Sequence, residues 1–177
     1  VKYSVFRYNC WQYDFYDEPI VAIVAALIDN INENQNLLPE EMQSSAIRFF
    51  RAIGVGVMHM ISHRIEADTG VNIQSFIDDT RNALQERTEL EKSHDFDNLF
   101  EFKNALSLLR SKLTEIARSN TVVLIVDELD RCLPTYTIKV LERIHHVFDD
   151  IPNLQVIFAV DESQLKHTIQ NIYGSET

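Results

Sequence analysis

Glycine is scarce in this chain, four in 177 residues, and no stretch reads Gly-x-x-x-x-Gly-Lys-Ser/Thr. These residues therefore cannot by themselves form the glycine-rich backbone cradle for phosphates, with its lysine and its metal-binding hydroxyl. Gly54 and Gly56 form a Gly-x-Gly, but it lies inside an apolar helical stretch with no lysine after it, as expected of a kink or a close helix contact. Cysteine is nearly absent as well. Cys10 and Cys132, each alone near the end of a predicted strand, make neither a disulfide framework nor a metal cluster. They are expected as small buried residues in a reducing cytoplasm. Basic residues are the minority, 16 Lys and Arg against 27 Asp and Glu for a net charge of −11. That balance disfavours broad binding to a nucleic-acid backbone, which needs clustered cations. Long apolar runs are missing too: Pro19 to Ile28 and Ala52 to Ser62 fall short of the roughly 20 residues that span a bilayer. Arg48, Arg51, His59 and His63 interrupt any wider window, so no membrane span is expected, and no secretory signal is visible.

What remains is enough apolar residue, 45% of the chain, for one domain with a sizeable core. Its most informative stretch is Thr121 to Cys132, where Val122, Val123, Leu124, Ile125 and Val126 run into Asp127, Glu128, Leu129, Asp130 and Arg131. A continuous β-branched run suits a strand covered on both faces, as in a parallel sheet flanked by helices. Ligands of such sheets bind beyond the carboxyl ends of the strands. Asp127, the first residue clear of the strand, could there hold Mg²⁺, and Glu128 could orient and deprotonate a water. The bland alternative is a solvated acidic turn.

A pattern of further segments surrounds this one. Leu141 to Phe148, Val156 to Asp161 and Leu165 to Gly174 follow it, and Phe6 to Ile28 (FRYNCWQYDFYDEPIVAIVAALI) opens the chain. Together they resemble the KAP family of P-loop NTPases, relatives of the AAA-type and STAND ATPases, with Asn9 and Trp11 on that family's phenylalanine-asparagine-x-tryptophan segment. The resemblance implies an α/β fold: part of a three-layer P-loop NTPase-type parallel sheet with a helical insert. It implies three regions: 1–38, the second core strand and following helix; 39–94, the insert; and 95–177, the Walker B and sensor half. ATP and Mg²⁺ are the implied cofactors, with Asp127 as metal ligand, Asp127 and Glu128 binding the nucleotide complex, and Glu128 as the catalytic base. In the family the phosphate loop precedes the point where this chain begins, so the chain is expected to be an internal piece of a larger, cytoplasmic ATPase. Alone it should hydrolyse nothing. By the resemblance the strand from Leu154 lies between the Walker B strand and the missing phosphate-loop strand, which would put Asp161 at the sensor position and leave that strand's outer edge unpaired here; Asp161 also suits a helix cap. Arg131 is open between an arginine-finger role toward a neighbouring subunit and an intramolecular brace.

Helices are expected from Pro19 to about Asn32, with acids Asp17 and Glu18 at its start, from Pro39 to about Arg64, over Ile73 to Glu91, and from Phe96 to Arg118. The stripe of the last would run through Phe96, Leu99, Phe100, Lys103, Leu106, Leu109 or Arg110, Leu113 and Ile116 or Ala117, with Glu101, Asn104, Ser107 and Lys112 facing away. A helix to Asp149, capped by Thr135 or Thr137, would bury Ile138, Leu141, Ile144, His145 and Phe148. Leu154 to Val160 reads as another fully buried strand, and Trp11 as a core plug rather than a stacking platform for a ligand. The helical insert is the candidate surface for self-association or a protein partner. His59 and His63 share a helical face, but no third ligand joins them. The competing readings are a catalytically inactive NTPase-fold scaffold and, with less support, a two-carboxylate Mg²⁺-dependent nuclease or phosphatase.

Overall fold

The computed structural model of the chain describes residues 3–69 and 95–174. Three strands, β1 (Tyr3–Asn9), β2 (Thr121–Asp127) and β3 (Leu154–Ala159), form a parallel sheet in the order β1-β2-β3. The apolar run is thus the middle strand, and its register sets Asn9 beside Asp127 on one flank and Ala159 beside Asp127 on the other. Helices α1 (Pro19–Glu33), α2 (Glu40–Thr69), α3 (Asp95–Ser119), α4 (Pro134–Phe148) and α5 (Glu162–Tyr173) complete the described residues, with a 3-10 turn at Leu129–Arg131. This is an α/β fold consistent with part of a P-loop NTPase-type domain. The segment 73–91, expected to be helical, lies outside the described residues, as do the side chains of His59, His63, Phe96, Leu99 and Phe100.

Alternation decides the core. Phe6 and Tyr8 on β1 and Val122, Leu124 and Val126 on β2 are buried, and α1, α3 and α4 pack against the sheet strand by strand. The other face of β2, with Val123 and Ile125, is half-buried among the described residues, so the unbroken apolar run does not mean equal burial on both sides. β3 departs further from expectation. Ile157 is 49% and Phe158 40% exposed, because β3 pairs with one strand and stands at the edge of the sheet. Hydrophobic content alone cannot tell an edge strand from a central one. The opposite edge is closed: Asn30 of α1 accepts from the Arg7 amide and donates to the Arg7 carbonyl, each at 2.9 Å, in place of a neighbouring strand.

Helix α1 starts as expected, with Glu18 accepting from the Ile20 amide and Pro19 as its first residue. It is buried from Pro19 to Val24 and again at Ala26, Leu27 and Ile31. Against it α2 lays Ala46, Phe50, Ile53 and Val57. Gly54 makes the close helix contact there, since a Cβ would stand 3.4 Å from Val24 Cγ1. Three expectations are corrected. The stripe of α4 is Tyr136, Thr137, Val140, Ile144, Val147 and Phe148, leaving His145 exposed. No threonine side chain caps α4, whose first residue is Pro134; the Thr137 hydroxyl instead donates to the Leu129 carbonyl at 3.1 Å. In α3 Leu109, Leu113, Ile116 and Ala117 are buried as expected, with Ala105 beside them, but Lys103 faces solvent and Lys112 lies over the Phe49 ring. The stripe of α4 is rotated because its burial is shared among the sheet and helices α1, α3 and α5.

Candidate active site

The parallel ladder carries the acidic residues to one end of the sheet. Asp127 is the last residue of β2, half-buried, and the ladder continues beside it through Cys10 N–H to the Asp127 carbonyl at 2.9 Å. Its Oδ1 accepts from the Glu128 amide at 2.9 Å, which fixes the carboxylate while Oδ2 makes no hydrogen bond among the described residues. Glu128 sits in the left-handed region, φ 55° and ψ 26°, where the chain leaves the strand and enters the 3-10 turn. That conformation is costly for a residue with a side chain, and such positions cluster at functional sites. The turn is held by Cys132 N–H on the Leu129 carbonyl and Thr137 beneath it.

Glu128 is bound on both oxygens. Asn9 Nδ2 donates to Oε2 at 3.1 Å, and Arg131 Nη1 lies 2.7 Å from Oε1. Arg131 is therefore braced within the molecule, on a glutamate rather than on an aspartate or the backbone, with 63% of its side chain exposed. Asp161 occupies the same end of the sheet beyond β3, where its Oδ1 accepts from the Ser163 and Gln164 amides at 2.8 and 3.1 Å and caps α5. The structure thus gathers Asn9, Asp127, Glu128 and Arg131 into one cluster and sets Asp161 on the β3 flank.

Asp127 and Asn9 also line a cavity of about 490 Å³ with Arg7, Gln12, Asp29 and Ala159. Trp11 lies in the turn after β1 and is 54% exposed, so it does not plug the core; the turn carries it past the end of the sheet. Cys10 and Cys132 are buried at this end of the sheet as expected, and the interaction of the Cys10 S–H with the Cys132 sulfur, together with burial, holds the Cys10 thiol protonated. Tyr8 and Tyr136 share a hydroxyl–hydroxyl contact of 3.0 Å, and burial raises both well above the usual tyrosine range.

The donor set fits Mg²⁺. That ion takes oxygen ligands and keeps waters, needing one or two carboxylates beside the phosphates rather than a protein cage. Asp127 supplies one anchored carboxylate with a free oxygen, and among the described residues no cluster of three or more His, Cys, Asp or Glu forms a cage. No helix among the described residues is long and apolar enough to cross a membrane. The partnership of Asn9 with Glu128 is not evident from composition. Its signal was the polar residue closing a second strand, which becomes informative once the two strands are set side by side.

The family model described as the KAP family P-loop domain matches residues 1–177. No curated protein and no solved structure matches the chain.

Proposed function

The chain belongs to the KAP family of P-loop NTPases, a nucleotide-binding family, and we propose that in the intact protein it forms the magnesium-binding and water-activating half of an ATP-hydrolysing core. The observation that supports this is the pairing of an anchored Asp127 with Glu128 at the carboxyl end of the central parallel strand. Asp127 would hold Mg²⁺, whose chemistry there would be to offset negative charge on the phosphates. Glu128 takes the proton of the attacking water. Asp161, beside the strand that neighbours β2, reads the phosphate at the sensor position while capping α5. Arg131, largely exposed although paired with Glu128, would act toward the phosphate charge of a neighbouring subunit. Residues 39–94 are the insert between the core segments 1–38 and 95–177, carried by α2 as far as Thr69, and nucleotide state moves it as a switch or remodelling module. The same insert is the surface for self-association or a protein partner. The setting is cytoplasmic.

Glu128→Gln in the full-length protein keeps nucleotide binding and loses about 10²–10⁴-fold in turnover, the contribution of a general base. Turnover that survives the substitution refutes the assignment. A second reading, a catalytically inactive scaffold, draws on the occupation of both Glu128 oxygens by Asn9 and Arg131. A full-length protein that binds no ATP in equilibrium dialysis would favour it.

A further inference from the structure

We propose that Cys10 and Cys132 are a dithiol that a peroxide converts to an intramolecular disulfide, joining the end of β1 to the turn that carries Glu128. The chain has two cysteines, far apart in sequence, and the fold sets both in the core at the carboxyl end of the sheet. Each is tied to the same segment. Cys10 follows β1 and donates its amide to the Asp127 carbonyl at 2.9 Å, which places it beside the point where β2 gives way to the turn. Cys132 closes that turn, with its amide on the Leu129 carbonyl at 3.3 Å and its Sγ 3.7 Å from the Glu128 carbonyl. The two sulfurs are in contact, the Cys10 S–H donating to Cys132.

This contact divides the roles. The hydrogen bond from Cys10 lowers the pKa of the Cys132 thiol, while the same bond and burial hold Cys10 protonated. Cys132 is 5% exposed and Cys10 0%, so a small reagent from solvent meets Cys132 first. The thiolate is the attacking form. The Cys132 sulfur attacks one oxygen of hydrogen peroxide, the O–O bond breaks, and the departing hydroxide takes the thiol proton to leave as water; Cys132 is now a sulfenic acid. The Cys10 sulfur then attacks the Cys132 sulfur, the S–O bond breaks, and the Cys10 proton goes to the hydroxide, which leaves as a second water. The two sulfurs together lose two electrons and the peroxide gains them. A dithiol reductant reverses the step by exchange. A covalent bond draws the sulfurs closer than a hydrogen bond does, so the turn from Glu128 to Cys132 moves toward β1 when the disulfide forms.

The test is peptide mapping of the native full-length protein after treatment with hydrogen peroxide, alkylation with N-ethylmaleimide and digestion without reductant. Mass spectrometry should find the Cys10 and Cys132 peptides of one chain linked, two hydrogens lighter than their sum, and separate again after dithiothreitol. In Cys10→Ala the sulfenic acid at Cys132 has no partner and should be trapped by dimedone; the wild-type map decides the matter if that variant does not fold. Both thiols alkylated and unlinked, Cys132 carried on to sulfinic acid, a link between two chains, or a link that forms only in urea would each overturn the proposal. The effect on the site rests on the reading of Glu128 as the base. Since small displacements of a catalytic group cost orders of magnitude, the linked protein should lose about tenfold or more in ATP turnover and regain it with dithiothreitol. Linked peptides with unchanged turnover would refute that coupling to Glu128, whereas missing linked peptides would refute the dithiol itself.

Discussion

Replacing Ser4 by alanine tests how the sheet is tied to its helices. The Ser4 side chain is fully buried; its hydroxyl donates to the Leu37 carbonyl at 2.6 Å and accepts from Asn120 Nδ2 at 2.8 Å. One oxygen atom therefore joins the start of β1, the loop after α1, and the residue between α3 and β2. Alanine keeps the Cβ and removes the oxygen, leaving a buried carbonyl and a buried amide donor without partners. Stranding each costs about 1–3 kcal/mol, so the loss should be about 3 kcal/mol in all. That is a large part of the roughly 5–15 kcal/mol by which a domain is stable. For a chain of this size it lowers Tm by about 6–12 °C. Urea unfolding followed by far-ultraviolet circular dichroism should show a lower midpoint with an unchanged slope. Adding Asn120→Leu removes one of the stranded groups, so the double variant should lose less than the sum of the two single variants. A loss below about 1 kcal/mol, or strictly additive losses, would refute the account of this junction.

Stability should also fall at alkaline pH. Burial holds Tyr8, Tyr136 and Tyr13 above their ordinary value of 10.0, so from about pH 10 upward the unfolded chain releases protons that the folded chain retains. The unfolded state then binds fewer protons and stability declines as pH rises; unfolding free energies measured on either side of that pH should show a shallower decline in Tyr8→Phe. Arg143→Met should cost about 2 kcal/mol in thermal unfolding, because Arg143 forks onto Glu18 at 2.7 and 3.3 Å and its loss leaves a mostly buried carboxylate at the cap of α1. Arg143→Lys should recover little of it, since the fork and the stacking over Phe102 both need a planar guanidinium.

Much of this was legible in the residue order. The run from Val122 to Val126 specified a strand, its place before Asp127 and Glu128 specified the acidic groups at its tip, and Pro19 after Glu18 specified a helix start. These features depend on neighbours a few positions apart, which is the range over which propensity, capping and periodicity act. Which face of each element meets another does not lie in that range. The stripe of α4 turned from His145 to Val147 because its burial is divided between the sheet and the adjoining helices α1, α3 and α5. β3 is as apolar as β2, yet it borders the sheet, and its exposure follows from the number of strands beside it. Trp11 left the core because β1 ends two residues before it.

The candidate site divides in the same way. Asp127 and Glu128 are adjacent in the chain, so their joint position at a strand end was set by sequence. Asn9 lies 119 positions from Glu128, and a parallel register alone brings its amide within 3.1 Å of the carboxylate. Local order therefore supplied the acidic groups and the elements that carry them, because covalent neighbours and helix or strand periods are written in the chain. The tertiary structure decided where the Glu128 carboxylate is aimed and what holds it, because side chains far apart in sequence meet when the sheet pairs and its helices pack.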